Sequence, residues 1–273
     1  MTQRISGLHE IIDQFDAVLI DQFGVLHDGK AVFEGALDCL KALRAAEKPI
    51  VALTNSGRTQ DLNIRRLAEF GFTEDLIGAV VTSGELARDL IKDRVSSGAL
   101  QREDAVLNLS RDRDQSVLDG FGFDIRTAVS DDIKFVLISG VVPENRSRDE
   151  YREMLKPLAR KGVPAICANP DHMMYANGAI GFGPGVVADD YRADDGPLEL
   201  VGKPFPEIFQ AGLAQLPGFA PARTLMIGDS PHHDIAGGRA VGCQTLLISG
   251  GVQASTGATD IQADYEIQSL VYS

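Results

Sequence analysis

The stretch AVLIDQFGVLHDG, running from Ala17 to Gly29, decides how the rest of the chain is read. Four apolar residues, Ala17 to Ile20, are followed at once by Asp21, and Gly24 then breaks any regular element. A buried parallel strand ends in this way, with its last side chain predicted to be exposed at the carboxyl edge of the sheet. Open α/β sheets place their chemistry at that edge. A carboxylate there serves either as a cap or turn residue, or as a nucleophile or metal ligand. The stretch alone does not choose between them; three later stretches bear on the choice.

Immediately downstream, Glu34 to Glu47 sets Leu37, Leu40 and Leu43 on one side of an amphipathic helix, and Pro49 opens the apolar run IVALTNS. Strand, loop, helix, strand is the start of a doubly wound parallel sheet. The second strand also ends in small polar residues, Thr54, Asn55 and Ser56, which lie beside Asp21 if the two strands are neighbours. Their hydroxyl and amide groups suit a phosphate oxygen and equally suit the N-cap of a helix over Thr59 to Phe70. Upstream, Leu8 to Phe15 is predicted as a short lead-in helix.

Composition narrows the classes. A chain of 273 residues, 44% apolar and 24% charged, is ordinary for a folded protein of one large or two modest domains. Its formal charge of -13 repels nucleic acid and anionic membranes, so an anionic substrate needs a local cation. No leader-like segment or membrane-length apolar run is evident, and a cytoplasmic location is expected. Cys39, Cys167 and Cys243 are unevenly spaced among apolar neighbours and read as reduced core thiols.

From Thr82 a second α/β unit is predicted. AVLNLS (105–110) and KFVLISG (134–140) read as buried strands, Arg146 to Lys161 as a helix, and VPAICANPD (163–171) as a strand ending in the polar residues Asn169, Pro170 and Asp171. The Gly- and Asp-rich segment 181–196 reads as a short helix from Val186 and a hinge. The chain then returns through Lys203, set between Gly202 and Pro204 on a turn ahead of a helix over Glu207 to Leu216. Finally RTLMIGDSPHHDIAGG repeats the opening theme, with a strand Thr224 to Ile227, Asp229 at its end and Asp234 starting a helix, before the strand TLLISGG.

Strand-end Asp21, strand-end Thr54 and Asn55, the turn residue Lys203 and the pair Asp229 and Asp234 together resemble the four motifs of the haloacid dehalogenase superfamily. The branch resembled is the nitrophenylphosphatase-like one, whose cap is inserted between the second and third motifs. Spacing agrees: 33 positions separate Asp21 from Thr54, but 149 separate Thr54 from Lys203, so the extra domain falls in the second interval. The resemblance spans nearly the whole chain. It implies an α/β fold with a Rossmann-like core over 1–82 and 198–273 and an α/β cap over 83–197.

The resemblance further implies an Mg²⁺-dependent phosphatase of a small phosphorylated metabolite, working through an aspartyl phosphate. Catalytic roles fall to Asp21 as nucleophile, Lys203 as the neutralising ammonium and Thr54. Thr54, Asn55, Ser56 and Lys203, with Asn169 and Asp171 from the cap, are the candidate substrate contacts. The metal site comprises Asp21, Phe23 through its main-chain carbonyl, Asp229 and Asp234, the last orienting the other ligands or Lys203. Asp234 serves equally well as a helix N-terminal charge. No nucleic-acid or membrane partner is implied, and a homo-oligomer is compatible with the sequence.

One position departs from the pattern. Two residues after the nucleophile the family's phosphatases carry a second Asp, the general acid; here stands Phe23. His27 and Asp28 in the adjoining flap, and His172 in the cap, are the candidate substitutes. Two alternatives to a phosphatase follow: a binder of phosphorylated ligands with little turnover, and a hydrolase of a phosphonate or carbon–halogen bond.

Overall fold

The computed structural model of the chain describes residues 2–176, 179–252 and 260–273. It divides into two compact units: residues 1–54, 61–81 and 203–273 form the first, and 55–60 with 82–202 form the second.

The first unit is built on a seven-stranded sheet, ordered Gln3–Arg4, Tyr265–Ile267, Gln244–Ile248, Thr224–Gly228, Ala17–Asp21, Ile50–Thr54, Ala79–Thr82. Pairing is parallel from Gln3–Arg4 across to Ile50–Thr54. The strands Ala17–Asp21, Ile50–Thr54 and Thr224–Gly228 are buried along their whole length, which is why they read as unbroken apolar runs instead of alternating ones. Leu40 and Leu43 of the helix Ala36–Ala45 and Leu67 of the helix Gln60–Glu69 pack into the core formed with Val18, Ile20, Leu225 and Ile227. Close approach is enforced on the helix Pro206–Ala214: a Cβ on Gly212 would stand 2.7 Å from Leu53 Cδ2.

The second unit carries a five-stranded sheet ordered Leu198–Leu200, Ala165–Cys167, Ile133–Ile138, Ala105–Leu109, Asp124–Arg126, parallel throughout. Period-two alternation splits its side chains between two cores. Leu107, Val136, Ile138 and Cys167 join the helices Arg148–Arg160 and Pro184–Ala193 on one face. Val106, Phe135, Leu137 and Ile166 meet Ala87 and Ile91 of the helix Ser83–Ser96 on the other. A hairpin, Met173–Ala176 with Ala179–Phe182, completes the unit.

The sequence reading needs correcting in four places. Leu8 to Phe15 is two 3₁₀ turns, Leu8–Glu10 and Ile12–Gln14, and not one helix. The short helix expected from Val186 starts two residues earlier, as Pro184–Ala193 with a proline in its first turn, and the strand Leu198–Leu200 follows it. Asp234 does not open a regular α-helix; it sits in a π-type turn, Pro231–Ile235, ahead of the helix Ala236–Ala240. The Asp21 side chain, expected to be exposed at the sheet edge, is buried. All three cysteines are free and buried, and burial pushes the Cys39 and Cys167 thiols up to about 12. Among the described residues no helix is long and apolar enough to cross a membrane.

Leu19 is fully buried in the strand that ends at Asp21. Leu19→Ala should destabilise the protein by about 2–5 kcal/mol through lost transfer energy and the cavity left behind. Urea unfolding followed by circular dichroism checks this; a cost under about 1 kcal/mol would mean the strand is not packed as described.

Candidate active site

Register brings the polar strand ends of the first unit together. Asp21 pairs with Leu53, and Ile20 with Ile227, so Thr54 and Asp229 continue from the strands on either side of Asp21. Lys203 lies on the turn before the helix Pro206–Ala214 and is buried at 3% exposure. Its Nζ donates to Asp21 Oδ1 at 2.5 Å and to Asp234 Oδ1 at 2.8 Å. Asp234, in the π-type turn at 231–235, also accepts the main-chain N–H of Ser230 through Oδ2 at 3.0 Å. Asp21, Asp229 and Asp234 are all buried and offer carboxylate oxygens within 4.8 Å of one another.

Burial pushes the Asp21 carboxyl well above the usual carboxylate range; Lys203 pulls it back, and Asp234 and Asp229 push it further up. Burial works against the Lys203 ammonium, but Asp21 and Asp234 outweigh it and raise its pKa. Lys203 is therefore held as a cation. Three carboxyl groups converge on this one ammonium, and a hard divalent cation, which favours the ionised form of each, is the kind of group that such an all-oxygen set accommodates.

Three glycines make room for this cluster, of which the sequence marks only Gly24 as a strand breaker. A Cβ on Gly228 would run into the Asp234 side chain, and a Cβ on Gly24 or Gly251 into that of Asp229. Gly24 also has φ +93°, a conformation L side chains rarely adopt. Their presence at strand ends was the only available signal; their partners lie far along the chain.

Not all the candidate residues belong to this cluster. Asn55, Ser56, Asn169 and Asp171 fall in the second unit. There Asn55 donates to Asp171 Oδ1 at 2.8 Å and accepts from Ser83 Oγ at 3.2 Å, and Asn169 Oδ1 accepts the Asp171 N–H at 3.1 Å. The Ser56 carbonyl accepts from Gly84 N, at the start of the helix Ser83–Ser96, at 3.0 Å. His172 Nε2 is 2.7 Å from Asp189 Oδ2 in the same unit.

Comparison with known proteins follows the same lines. A family model described as haloacid dehalogenase-like hydrolase matches residues 18–124, and one described as HAD-hydrolase-like matches 200–271. The rat haloacid dehalogenase-like hydrolase domain-containing protein 2 is 30% identical over 86% of this chain and 84% of its own length. The phospholysine phosphohistidine inorganic pyrophosphate phosphatase of Xenopus laevis is 27% identical over 86% of this chain and 83% of its own. Among solved structures, a haloacid dehalogenase-like hydrolase from Brucella suis superposes with a TM-score of 0.85 at 28% identity, covering 98% of this chain and all of that one.

The flap after Asp21 is fastened by stacked rings. Phe23 meets His27 edge-on at 6.2 Å between centroids, His27 stacks on Phe70 at 4.6 Å, and the Arg66 guanidinium lies 4.4 Å over Phe70. Burial, then Arg66, draws the His27 imidazole down to about 4, and its Nδ1 accepts the Gly29 N–H at 3.1 Å. His27 is thus neutral at pH 7 and is no ready proton donor. Asp28 is tied into its own turn, Oδ1 accepting from Lys30 N and Ala31 N at 2.8 Å each.

Because the folded protein holds His27 neutral, the unfolded chain takes up its proton first. Stability from this group is complete above pH 6.5 and is lost as pH falls from 6.5 through about 4. His27→Phe should therefore lose less stability than wild type across that window. Urea unfolding at several pH values reads the difference; parallel acid dependence would show that His27 is not buried neutral.

Proposed function

Because this chain belongs to the haloacid dehalogenase-like hydrolases, in their nitrophenylphosphatase-like branch, we propose that it is a phosphatase of a small phosphorylated metabolite working through a phosphorylated Asp21. The observation that carries this reading is the buried Lys203 ammonium shared by Asp21 and Asp234, with Asp229 in the same carboxylate group.

A carboxylate oxygen of Asp21 attacks phosphorus as the ester oxygen departs, and water then cleaves the aspartyl phosphate, so one difficult displacement becomes two easier ones. Lys203 holds Asp21 in place and offsets part of the charge that accumulates as two anions approach. Asp234 in turn fixes Lys203 by accepting a second hydrogen bond from its Nζ. The Thr54 hydroxyl, at the end of the adjacent strand, is assigned to a phosphate oxygen. The buried carboxylate group supports an Mg²⁺ site in which Asp21 and Asp229 would bind by carboxylate and Phe23 by its main-chain carbonyl, with Asp234 orienting them. Such an ion, when bound, would supply neutralisation of the phosphoryl oxygens. Choice among substrates is assigned to the inserted unit, and the relative named for phospholysine, phosphohistidine and pyrophosphate supports hydrolysis at phosphorus.

Asp21→Asn keeps the shape but removes the nucleophile. It should leave the circular dichroism spectrum unchanged and lower p-nitrophenyl phosphate hydrolysis at least about 10³-fold. A variant with most of the wild-type rate would take Asp21 out of the nucleophile role.

Phe23 shapes the rest. Without a carboxyl there, leaving-group protonation is lost, which is worth about 10²- to 10⁴-fold to a basic leaving oxygen. Alkyl phosphates expel strongly basic alkoxides, whereas aryl and acyl phosphates leave as weak bases. The enzyme should prefer aryl and acyl phosphates, with a pH profile lacking a general-acid limb. Phe23→Asp should raise alkyl phosphate turnover by about 10²-fold and aryl turnover far less. Comparable wild-type rates on both, with no gain from Phe23→Asp, would refute the missing-acid account. Phe23 also favours a second reading, a phospho-ligand binder; saturable phosphate binding without release of product from any ester would select it.

A further inference from the structure

The second unit has a cavity of about 530 Å³ that the proposed phosphatase chemistry does not use. All its lining residues belong to residues 82–202. They follow the carboxyl ends of three strands: Asn108 and Ser110 close Ala105–Leu109, Thr127 follows Asp124–Arg126, and Asn145 and Arg146 come after Ile133–Ile138. From Ala105–Leu109 the chain passes to the strand on one side, Asp124–Arg126, and then to the strand on the other, Ile133–Ile138. The cavity therefore lies where the strand order reverses, the crevice in which open parallel sheets bind ligands.

One of its buried polar atoms is unsatisfied. Asn108 is buried at 5% exposure, and its Nδ2 donates to the Asp114 carbonyl at 2.8 Å. Its Oδ1 is fully buried and meets no donor among the described residues. A buried acceptor left unpaired costs stability, and a ligand N–H or O–H would satisfy it. Tyr151 accepts the Val142 N–H through its hydroxyl oxygen at 3.0 Å, which leaves the phenolic hydrogen to donate.

Charge points the same way. No acidic residue lines the cavity, though the chain carries a net charge of -13. Neighbouring arginines are matched with carboxylates: Arg111 with Glu144, Arg148 with Asp190 and Arg152 with Asp194. Arg113 and Arg146 form no close ion pair with a carboxylate among the described residues, the Arg146 charge reaching only Glu150 at longer range. Arg146 is instead steadied by the Tyr151 ring, 5.2 Å from its guanidinium carbon, and by Met154 Sδ at 2.9 Å. Arg113 stands in the left-handed region, φ +55°, directly after Asp112 at φ +54°, and two such non-glycine residues in succession are held only where the surroundings demand it.

We propose that this cavity binds a small organic anion that also carries hydroxyl or amine hydrogens, with Arg113 and Arg146 taking the anionic group and Asn108 Oδ1 accepting a hydrogen from the ligand. The volume suits a metabolite-sized ligand. The site stands independently of the phosphatase reading, since it neither needs nor tests Asp21.

The test uses the full chain, ¹⁵N-labelled, titrated with gluconate and separately with acetate at constant ionic strength. Gluconate has a carboxylate and hydroxyls and no phosphate, so it is no substrate for phosphoryl transfer. It should produce saturable shifts at the Asn108 side-chain amide and at the amides of residues 109–113 and 142–146. Gluconate should bind at least about ten-fold more tightly than acetate, and R113Q/R146Q should weaken it by about ten-fold or more, as loss of charge-assisted hydrogen bonds requires. Unmoved resonances of residues 17–21 and 224–228 in the double variant would establish that the fold is intact. Absence of saturable shifts at these residues, equal binding of acetate, or unchanged binding by R113Q/R146Q would each overturn the proposal.

Discussion

Lys203 cannot be buried beside Asp21 and Asp234 unless every element around it is in place. A charge removed from water costs several kcal/mol per ion after relaxation, and only close, well-oriented opposite charges offset it. The two carboxylates that do so come from positions 182 and 31 residues away in sequence. The parallel register between Ala17–Asp21 and Thr224–Gly228, the turn carrying Lys203 and the π-type turn carrying Asp234 are thereby fixed relative to one another. Breaking a buried pair by removing one partner typically costs about 3–5 kcal/mol, because the other charge is left uncompensated. The same arrangement that stabilises the cluster preorganises the oxygen proposed to attack phosphorus.

The carboxylates need room as well as charge balance. Side chains at positions 24, 228 or 251 would occupy the space of Asp229 or Asp234, so glycine there is a steric requirement of the site. Phe23 has the opposite character: its ring joins the series His27, Phe70 and Arg66 and so fastens the flap. Where relatives of the branch resembled put a carboxyl for chemistry, this chain has a ring that packs. Burial in the same packing, with the Arg66 charge, keeps His27 neutral, so the nearest histidine offers no proton in place of the carboxyl that Phe23 is proposed to replace.

Much of this was legible in the sequence, for a physical reason: strands buried on both faces of a parallel sheet must be apolar throughout, so their polar ends stand out. Asp21, Thr54 and Asp229 stand out in that way and Lys203 by its turn between Gly202 and Pro204, and the same apolar runs give the α/β class. What escaped has equally physical causes. The strand Ala79–Thr82 is four residues long and runs directly into the helix Ser83–Ser96, so no turn residue separates them. Asp124–Arg126 is half exposed and mostly polar, and Tyr265–Ile267 is a short strand near the sheet's edge. Nothing in composition marks residues 55–60 as part of the second unit, because the helix Gln60–Glu69 that follows belongs largely to the first. The burial of Asp21 was missed because a lone strand-end carboxylate reads as solvated until its ammonium partner is known.

The claim on which the rest depends is that Asp21, held by Lys203, is the atom donor to phosphorus. Its most direct test is chemical trapping: enzyme turning over p-nitrophenyl phosphate is quenched, any acyl phosphate is reduced with borohydride to the alcohol, and peptides are mapped by mass spectrometry. The account predicts that Asp21 alone among the carboxylates is converted to homoserine, and only in the presence of substrate. Conversion at another carboxylate, or continued turnover with Asp21 never modified, would contradict it.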